Sequence, residues 1–140
     1  MLEYSVELPV RYYETDQMGI VHHSNYIRYF ECARLQMMEE WGYPLQRCEK
    51  EGITIPVVSV ECKYKHSAYL GDTLRAVAAI DEKEPMAKFV IHQTVYNQNG
   101  DVCAYGDVVL GFLNKETGRP ARCPEQIIEV IRKEIENKNK

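Results

Sequence analysis

Arg11-Tyr12-Tyr13-Glu14-Thr15-Asp16-Gln17-Met18-Gly19-Ile20-Val21-His22-His23-Ser24-Asn25-Tyr26 is the stretch on which the reading of the fold turns. It lies within Val10 to Trp41, where an apolar strand pattern runs to a lone carboxylate at Asp16, a glycine-containing loop follows, and a long amphipathic pattern begins. One carboxylate is thereby set beside the N-terminus of a helix. Unpaired backbone N–H groups and the positive end of the helix dipole favour negative charge developing on oxygen there. A base and an oxyanion site in one loop form a minimal kit for hydrolysing an acyl group.

Upstream, Tyr4, Val6, Leu8, Val10 and Tyr12 alternate with Ser5, Glu7 and Arg11, which predicts a first strand over Leu2 to Thr15. Pro9 marks it as an edge or locally irregular strand. Downstream, Ser24 or His23 starts the helix; Ser24 is the better N-cap by type, although no Glu follows three residues later to complete a capping box. Tyr26, Ile27, Phe30, Ala33, Met37, Met38 and Trp41 recur at spacings of three and four, so Asn25 to Trp41 reads as one helix with a broad apolar face. Gly42 stops it and Pro44 follows. Arg34 lies near the apolar side, where it is expected to pair with Glu31 or reach a helix-end carbonyl.

After a polar connection from Gln46 to Gly52 the period changes. Strands are predicted over Ile53–His66, Thr73–Ile80, Met86–Tyr96 and Val102–Leu113, with turns at Ser67–Asp72, Asp81–Pro85 and the Asn-Gly hairpin Asn97–Asp101. A polar stretch, Asn114 to Pro124, leads to a short amphipathic helix over Gln126–Ile135 and a charged tail. Strand, long helix, four strands and short helix make an α+β chain, in which an antiparallel five-stranded sheet wraps around one long central helix. No repeat or composition shift divides it, so residues 1–140 read as one domain.

The balance of 17 basic against 21 acidic residues, a net charge of −4, excludes a general nucleic-acid binder, whose footprint is a concentrated basic surface. No secretory signal and no stretch of about 20 apolar residues is present, so the expectation is a soluble, cytoplasmic chain. Five scattered cysteines, an odd number without a C-x-x-C pair, suggest reduced thiols; Cys32 and Cys62, inside periodic segments, are expected to be buried. His22 and His23 are adjacent, and neighbouring side chains rarely converge on one ion, while no other Cys/His pair has ligand spacing. His66 and His92 fall in predicted strands and read as structural.

Tyr13-x-Thr15-Asp16-x-x-Gly19-x-Val21-x-His23-x-x-Tyr26-x-x-Tyr29-Phe30-Glu31-x-Ala33-Arg34 resembles the signature of the 4-hydroxybenzoyl-CoA thioesterase-like family of hotdog-fold acyl-CoA thioesterases, nearest to its bacterial short-chain branch. Tyr64-x-x-x-Ala68-x-x-Gly71-Asp72 is similar to that family's second landmark. The resemblance implies that Asp16 is the catalytic carboxylate, as general base for water or as nucleophile on the thioester carbonyl. It implies that His23 is the active-site histidine, its backbone N–H holding the thioester oxygen. His22, Tyr26, Ser67 and Ala68 are then the substrate-binding positions, with Ser67 and Ala68 expected from a partner chain across a subunit seam. Two residues depart from the pattern: His22 stands where Tyr or Asn is more usual, and Ser67 where Pro is frequent.

No metal or dissociable cofactor is implied. The implied partners are an acyl-CoA substrate, or an acyl-carrier-protein thioester, and further copies of this chain in a homo-oligomer, dimer or tetramer. Surface residues Lys63, Lys65, Arg75, Lys88, Arg119 and Arg122 are the candidates for meeting the CoA phosphates, each equally explained as a solvated charge. Two other functions share the fold: a hydratase or dehydratase, which would bring a different acid/histidine pairing, and a non-catalytic acyl-CoA or acyl-carrier-protein binding module.

Overall fold

The computed structural model describes all residues, 1–140. Strand β1 (Leu2–Pro9) buries Leu2 and Tyr4 on one face, in the alternation the sequence predicts. It ends at Pro9, short of the expected Thr15, because the chain then turns through a 3-10 turn at Tyr12–Glu14. That turn throws Tyr12 and Tyr13 outward, 80% and 77% exposed, so Tyr12 does not share the buried face assigned to it.

Helix α1 (Ser24–Glu40) buries Tyr26, Tyr29, Phe30, Ala33, Arg34, Met37 and Met38. It lies across the inner face of the sheet against β1 and the strands β5 (Thr73–Ile80) and β6 (Lys88–Tyr96). The small inner-face residues Ala76 and Ala78 of β5 are fully buried beneath it. Two expected core positions instead point outward: Ile27 is exposed, and so is Cys32. At about 100° per residue Ile27 lies at the margin of the buried stripe, while Cys32 lies on the far side beside Arg28. Arg34 is buried and donates to Gln93 Oε1 at 2.9 Å, while Gln93 donates to the Phe30 carbonyl at 2.7 Å. Glu31 is a more distant partner, at 3.9 Å. Burial pushes the Arg34 pKa down from its ordinary value, with Glu31 opposing that shift.

The polar connection contains an unpredicted helix, α2 (Leu45–Lys50), begun at Pro44 and burying Cys48. The predicted strand Ile53–His66 is three pieces: β2 (Ile53–Thr54), β3 (Val57–Val60) and β4 (Lys63–Tyr64). β2 pairs with β8 (Leu113–Asn114), whereas β3 and β4 both pair with β7 (Val102–Gly111). The main sheet is antiparallel with order β1-β5-β6-β7-β3 and β4 beside β7, six strands where five were expected. Helix α3 (Glu125–Lys138) is longer than predicted and packs Ile127 and Ile131 into the core. No helix is long and apolar enough to cross a membrane.

The break between β3 and β4 has a local cause. The backbone at Glu61 passes so close over β7 that a Cβ added to Gly106 would sit 1.8 Å from the Glu61 carbonyl oxygen. Only glycine permits that approach, and the Glu61 N–H still donates to the Asp107 carbonyl at 2.9 Å. On the outer face His92 is a structural residue, as its position suggests. Its Nδ1 bonds Asp107 at 2.8 Å and its Nε2 bonds Asp81 at 3.2 Å, and the Asp107 bond raises its pKa.

Gly106→Ala is expected to destabilise the fold by on the order of 3 kcal/mol, the upper end for overpacking a site that cannot relax. Urea unfolding of the variant against the parent chain measures this; an unchanged midpoint would show that the Glu61 crossing can move.

Candidate active site

The loop that carries Asp16 is fastened by Glu14. The Glu14 backbone carbonyl accepts from the His22 N–H at 2.8 Å and from Asn25 Nδ2 at 2.8 Å, tying the loop's exit and the first turn of α1 to its entry. The Glu14 carboxylate is buried and accepts from the Arg11 N–H at 2.8 Å and from the Tyr29 hydroxyl at 3.0 Å, with the Arg11 guanidinium 3.7 Å away. Burial first, and the adjacent Glu14 charge second, push the Tyr29 phenol above its ordinary pKa, so it stays a donor. Sequence reading missed Glu14. Its only local signal is the spacing to Arg11, which closes the reciprocal cap of the 3-10 turn.

Between these anchors the loop is a narrow hairpin. Thr15 bridges Val21, and the Asp16 N–H donates to the Ile20 carbonyl at 2.9 Å. Gly19, with φ +78°, makes the return that a side chain would strain. Asp16 Oδ1 accepts from the Met18 N–H at 2.8 Å, the local turn bond available to any Asp here. Its second oxygen has no partner in the chain.

At the helix start the cap differs from the expected Ser24. The Ser24 N–H donates to His22 Nδ1 at 3.2 Å, and the Ser24 hydroxyl lies 2.8 Å from the same nitrogen. Asn25 N–H goes to the His22 carbonyl and Tyr26 N–H to the His23 carbonyl. The His23 N–H has no acceptor, and it points from the positive end of α1.

Asp16 and His23 line one pocket of about 210 Å³, with Met18, Ile20 and Val21 from the loop, Tyr26 from α1, and Tyr64, Lys65, His66 and Ser67 from the segment after the edge strand. Of the residues singled out in the sequence, Asp16, His23, Tyr26 and Ser67 therefore come together. Ser67 of this chain lines the same pocket as Asp16. Ala68 is buried behind the wall: its carbonyl accepts from the Val21 N–H at 2.8 Å, and its N–H donates to the Tyr26 hydroxyl at 3.3 Å. His22 is outside the lining, its ring 4.1 Å from that of His23. His66, assigned to a strand, sits in the bend after β4 and faces the pocket.

Tyr64 was also missed. Its hydroxyl donates to the His23 carbonyl at 3.2 Å and its ring meets those of His23 and Tyr26 edge-on. Burial pushes the Tyr26 phenol up to about 12, so with its oxygen accepting from Ala68 its proton is free to be donated into the pocket. The pocket thus offers a carboxylate oxygen, a helix-terminal N–H, a phenol and a hydroxyl around a partly apolar floor.

Residues 10–131 match the thioesterase-like superfamily. The chain belongs to that superfamily. It is 32% identical, over 81% of its length and 82% of the relative's, to YneP of Bacillus subtilis, named as a candidate acyl-CoA thioesterase. It is 26% identical to the acyl-CoA thioester hydrolase YbgC of Escherichia coli, covering 86% of this chain and 90% of that one. The structure of a DHNA-CoA thioesterase from Staphylococcus aureus superposes with a TM-score of 0.89 at 28% identity, over 100% of this chain and 97% of the other. The hotdog fold implied by the resemblance is the one these thioesterases share.

Glu14→Ala removes the only acceptors of the Arg11 N–H and the buried Tyr29 hydroxyl, and is expected to cost about 3 kcal/mol in urea unfolding. Glu14→Gln, which keeps an acceptor oxygen, is expected to cost roughly half as much. Equal stability of all three proteins would remove Glu14 as the fastening of the loop.

Proposed function

We propose that this chain is an acyl-CoA thioesterase, residues 1–140 acting as one hotdog domain that hydrolyses acyl-CoA to a carboxylic acid and CoA. The observation that carries the reading is the unpartnered Asp16 oxygen in one pocket with the unpartnered His23 N–H. Asp16, as general base, takes a proton from water as the water oxygen bonds to the thioester carbon. The His23 N–H holds the oxyanion; collapse breaks the carbon–sulfur bond and releases the thiol. As nucleophile, Asp16 would instead displace the thiolate to give a mixed anhydride, which water then opens. The same N–H serves either course. Tyr26 and Ser67 line the acyl side, and the His23 side chain stands at the mouth. The family match and the relatives' names support the activity.

Asp16→Asn keeps the oxygen that holds the Met18 N–H and loses the base. Thiol release from a panel of short, long and aromatic acyl-CoAs is expected to fall about 10²–10⁴-fold in this variant, the range for a lost general base, with the fold intact by circular dichroism. Parent and variant turning over some member equally would overturn the assignment of Asp16. Turnover by neither would favour the binding-module reading.

We further propose that the active form is a homodimer or tetramer. Strand β3 is a sheet edge on which Val57, Val58 and Val60 are all exposed, an apolar edge of the kind that pairs with another chain. Light scattering is expected to give at least two chains per particle, and Val58→Lys to shift the population toward one. A monomeric parent chain would exclude the assembly.

A further inference from the structure

Of the six surface cations that could meet phosphates, the structure brings two to one aromatic ring, and one of these two lines the candidate site. In β4, Tyr64 pairs with Ala104 and faces inward to His23 and Tyr26, while Lys63 pairs with Tyr105 and faces outward. Lys65, two residues on, shares the outward side with Lys63. Both ammonium groups stand over the Tyr105 ring, at 5.8 and 5.7 Å from its centroid. Lys65 also lines the pocket that holds Asp16 and His23.

Neither lysine takes part in any ion pair of the chain, whereas Arg11, Arg34, Arg47, Arg132 and Lys138 all do. Glu61 is the acidic residue nearest in sequence, and Asp107, along β7, is engaged by His92. The other four candidates are placed differently: Arg75 stacks on Tyr96 at 4.5 Å, Lys88 sits in a separate pocket beside Asp81 and Glu84, and Arg119 and Arg122 are absent from the Asp16 pocket. Two like charges drawn to one aromatic ring repel each other, and a multiply charged anion that reaches both turns that repulsion into attraction.

We infer that Lys63 and Lys65, converging over Tyr105, bind the phosphate groups carried on the pantetheine arm of the substrate, with its thioester at Asp16. This rests on the thioesterase reading for the substrate and adds the side chains that hold its charged end. The phosphate is chemistry common to CoA and to the prosthetic group of a carrier protein.

The test compares CoA, 4′-phosphopantetheine and pantetheine as ligands of Asp16→Asn by calorimetry, with and without Lys63→Gln/Lys65→Gln. In parallel, an acyl-CoA and the matching N-acetylcysteamine thioester are compared as substrates. The double substitution is expected to weaken CoA relative to pantetheine about tenfold or more, and to lower the acyl-CoA to N-acetylcysteamine ratio of kcat/KM similarly, with Lys63→Arg/Lys65→Arg restoring both. Damage that is merely structural would lower both members of each ratio and leave the ratio unmoved; that result overturns the inference, as does no change at all. A lysine-dependent gain already present for 4′-phosphopantetheine places the contact on the arm's own phosphate, and a gain confined to CoA places it on the nucleotide phosphates. Lysine-dependent CoA binding by a parent chain that hydrolyses neither thioester would support the phosphate site while removing the catalytic reading. Hydrolysis with an unmoved ratio would do the reverse.

Discussion

The candidate site depends on one buried anion. Glu14 is at once the end of a 3-10 turn, the acceptor that orients Tyr29 on α1, and, through its carbonyl, the post to which His22 and Asn25 are tied. A carboxylate so deep is tolerable because every direction it faces holds a donor: the Arg11 N–H, the Tyr29 hydroxyl and the Arg11 guanidinium. The strand, the loop and the helix meet at this residue. Two residues later the chain carries a second carboxylate, Asp16, with the opposite design, one oxygen held and the other left free toward a pocket. The first acid fixes geometry so that the second can be unsatisfied.

Much of this was legible in the chain. The period-two runs located β1, β5, β6 and β7; Gln93 is buried on the inner face of β6 with Ile91 and Val95, where Arg34 and the Phe30 carbonyl satisfy its amide. Asp16, His23, Tyr26 and Ser67 were named by the family resemblance, and all four line one pocket. What failed to show in the sequence was set by contacts distant along the chain. Ile53 to His66 is rich enough in valine and isoleucine to read as one strand, and its break depends on a glycine more than forty residues later, across the sheet. Glu14 looked like one more surface acid because its burial requires Tyr29, fifteen residues on. Tyr64 and His66 reach the pocket through the pairing of β4 with β7 and the bend after it, next to His23 from far back in the chain.

The Glu61 crossing lies between the β3 edge and the site. There the Glu61 backbone comes close onto Gly106, between β3, whose valines are exposed, and β4, which sets Tyr64 inward and Lys63 outward. β3 and β4 keep one register along β7 across the crossing, Val60 opposite Val108 and Tyr64 opposite Ala104, so alternation along the strand sets Tyr64 on the inner face, where its hydroxyl meets the His23 carbonyl.

The accounting of donors at the start of α1 gives His22 a role the resemblance did not suggest. A helix leaves its first N–H groups without partners, and each must find an acceptor or remain available. His22 takes two: its carbonyl accepts from the Asn25 N–H and its Nδ1 from the Ser24 N–H. The Tyr26 N–H is met by the His23 carbonyl, so the one donor left over is the His23 N–H beside Asp16. An Asn at position 22 could supply a comparable side-chain acceptor, and a Tyr could not reach back in the same way. His22 therefore sits at the helix terminus as the acceptor for two of its N–H groups, outside the pocket lining.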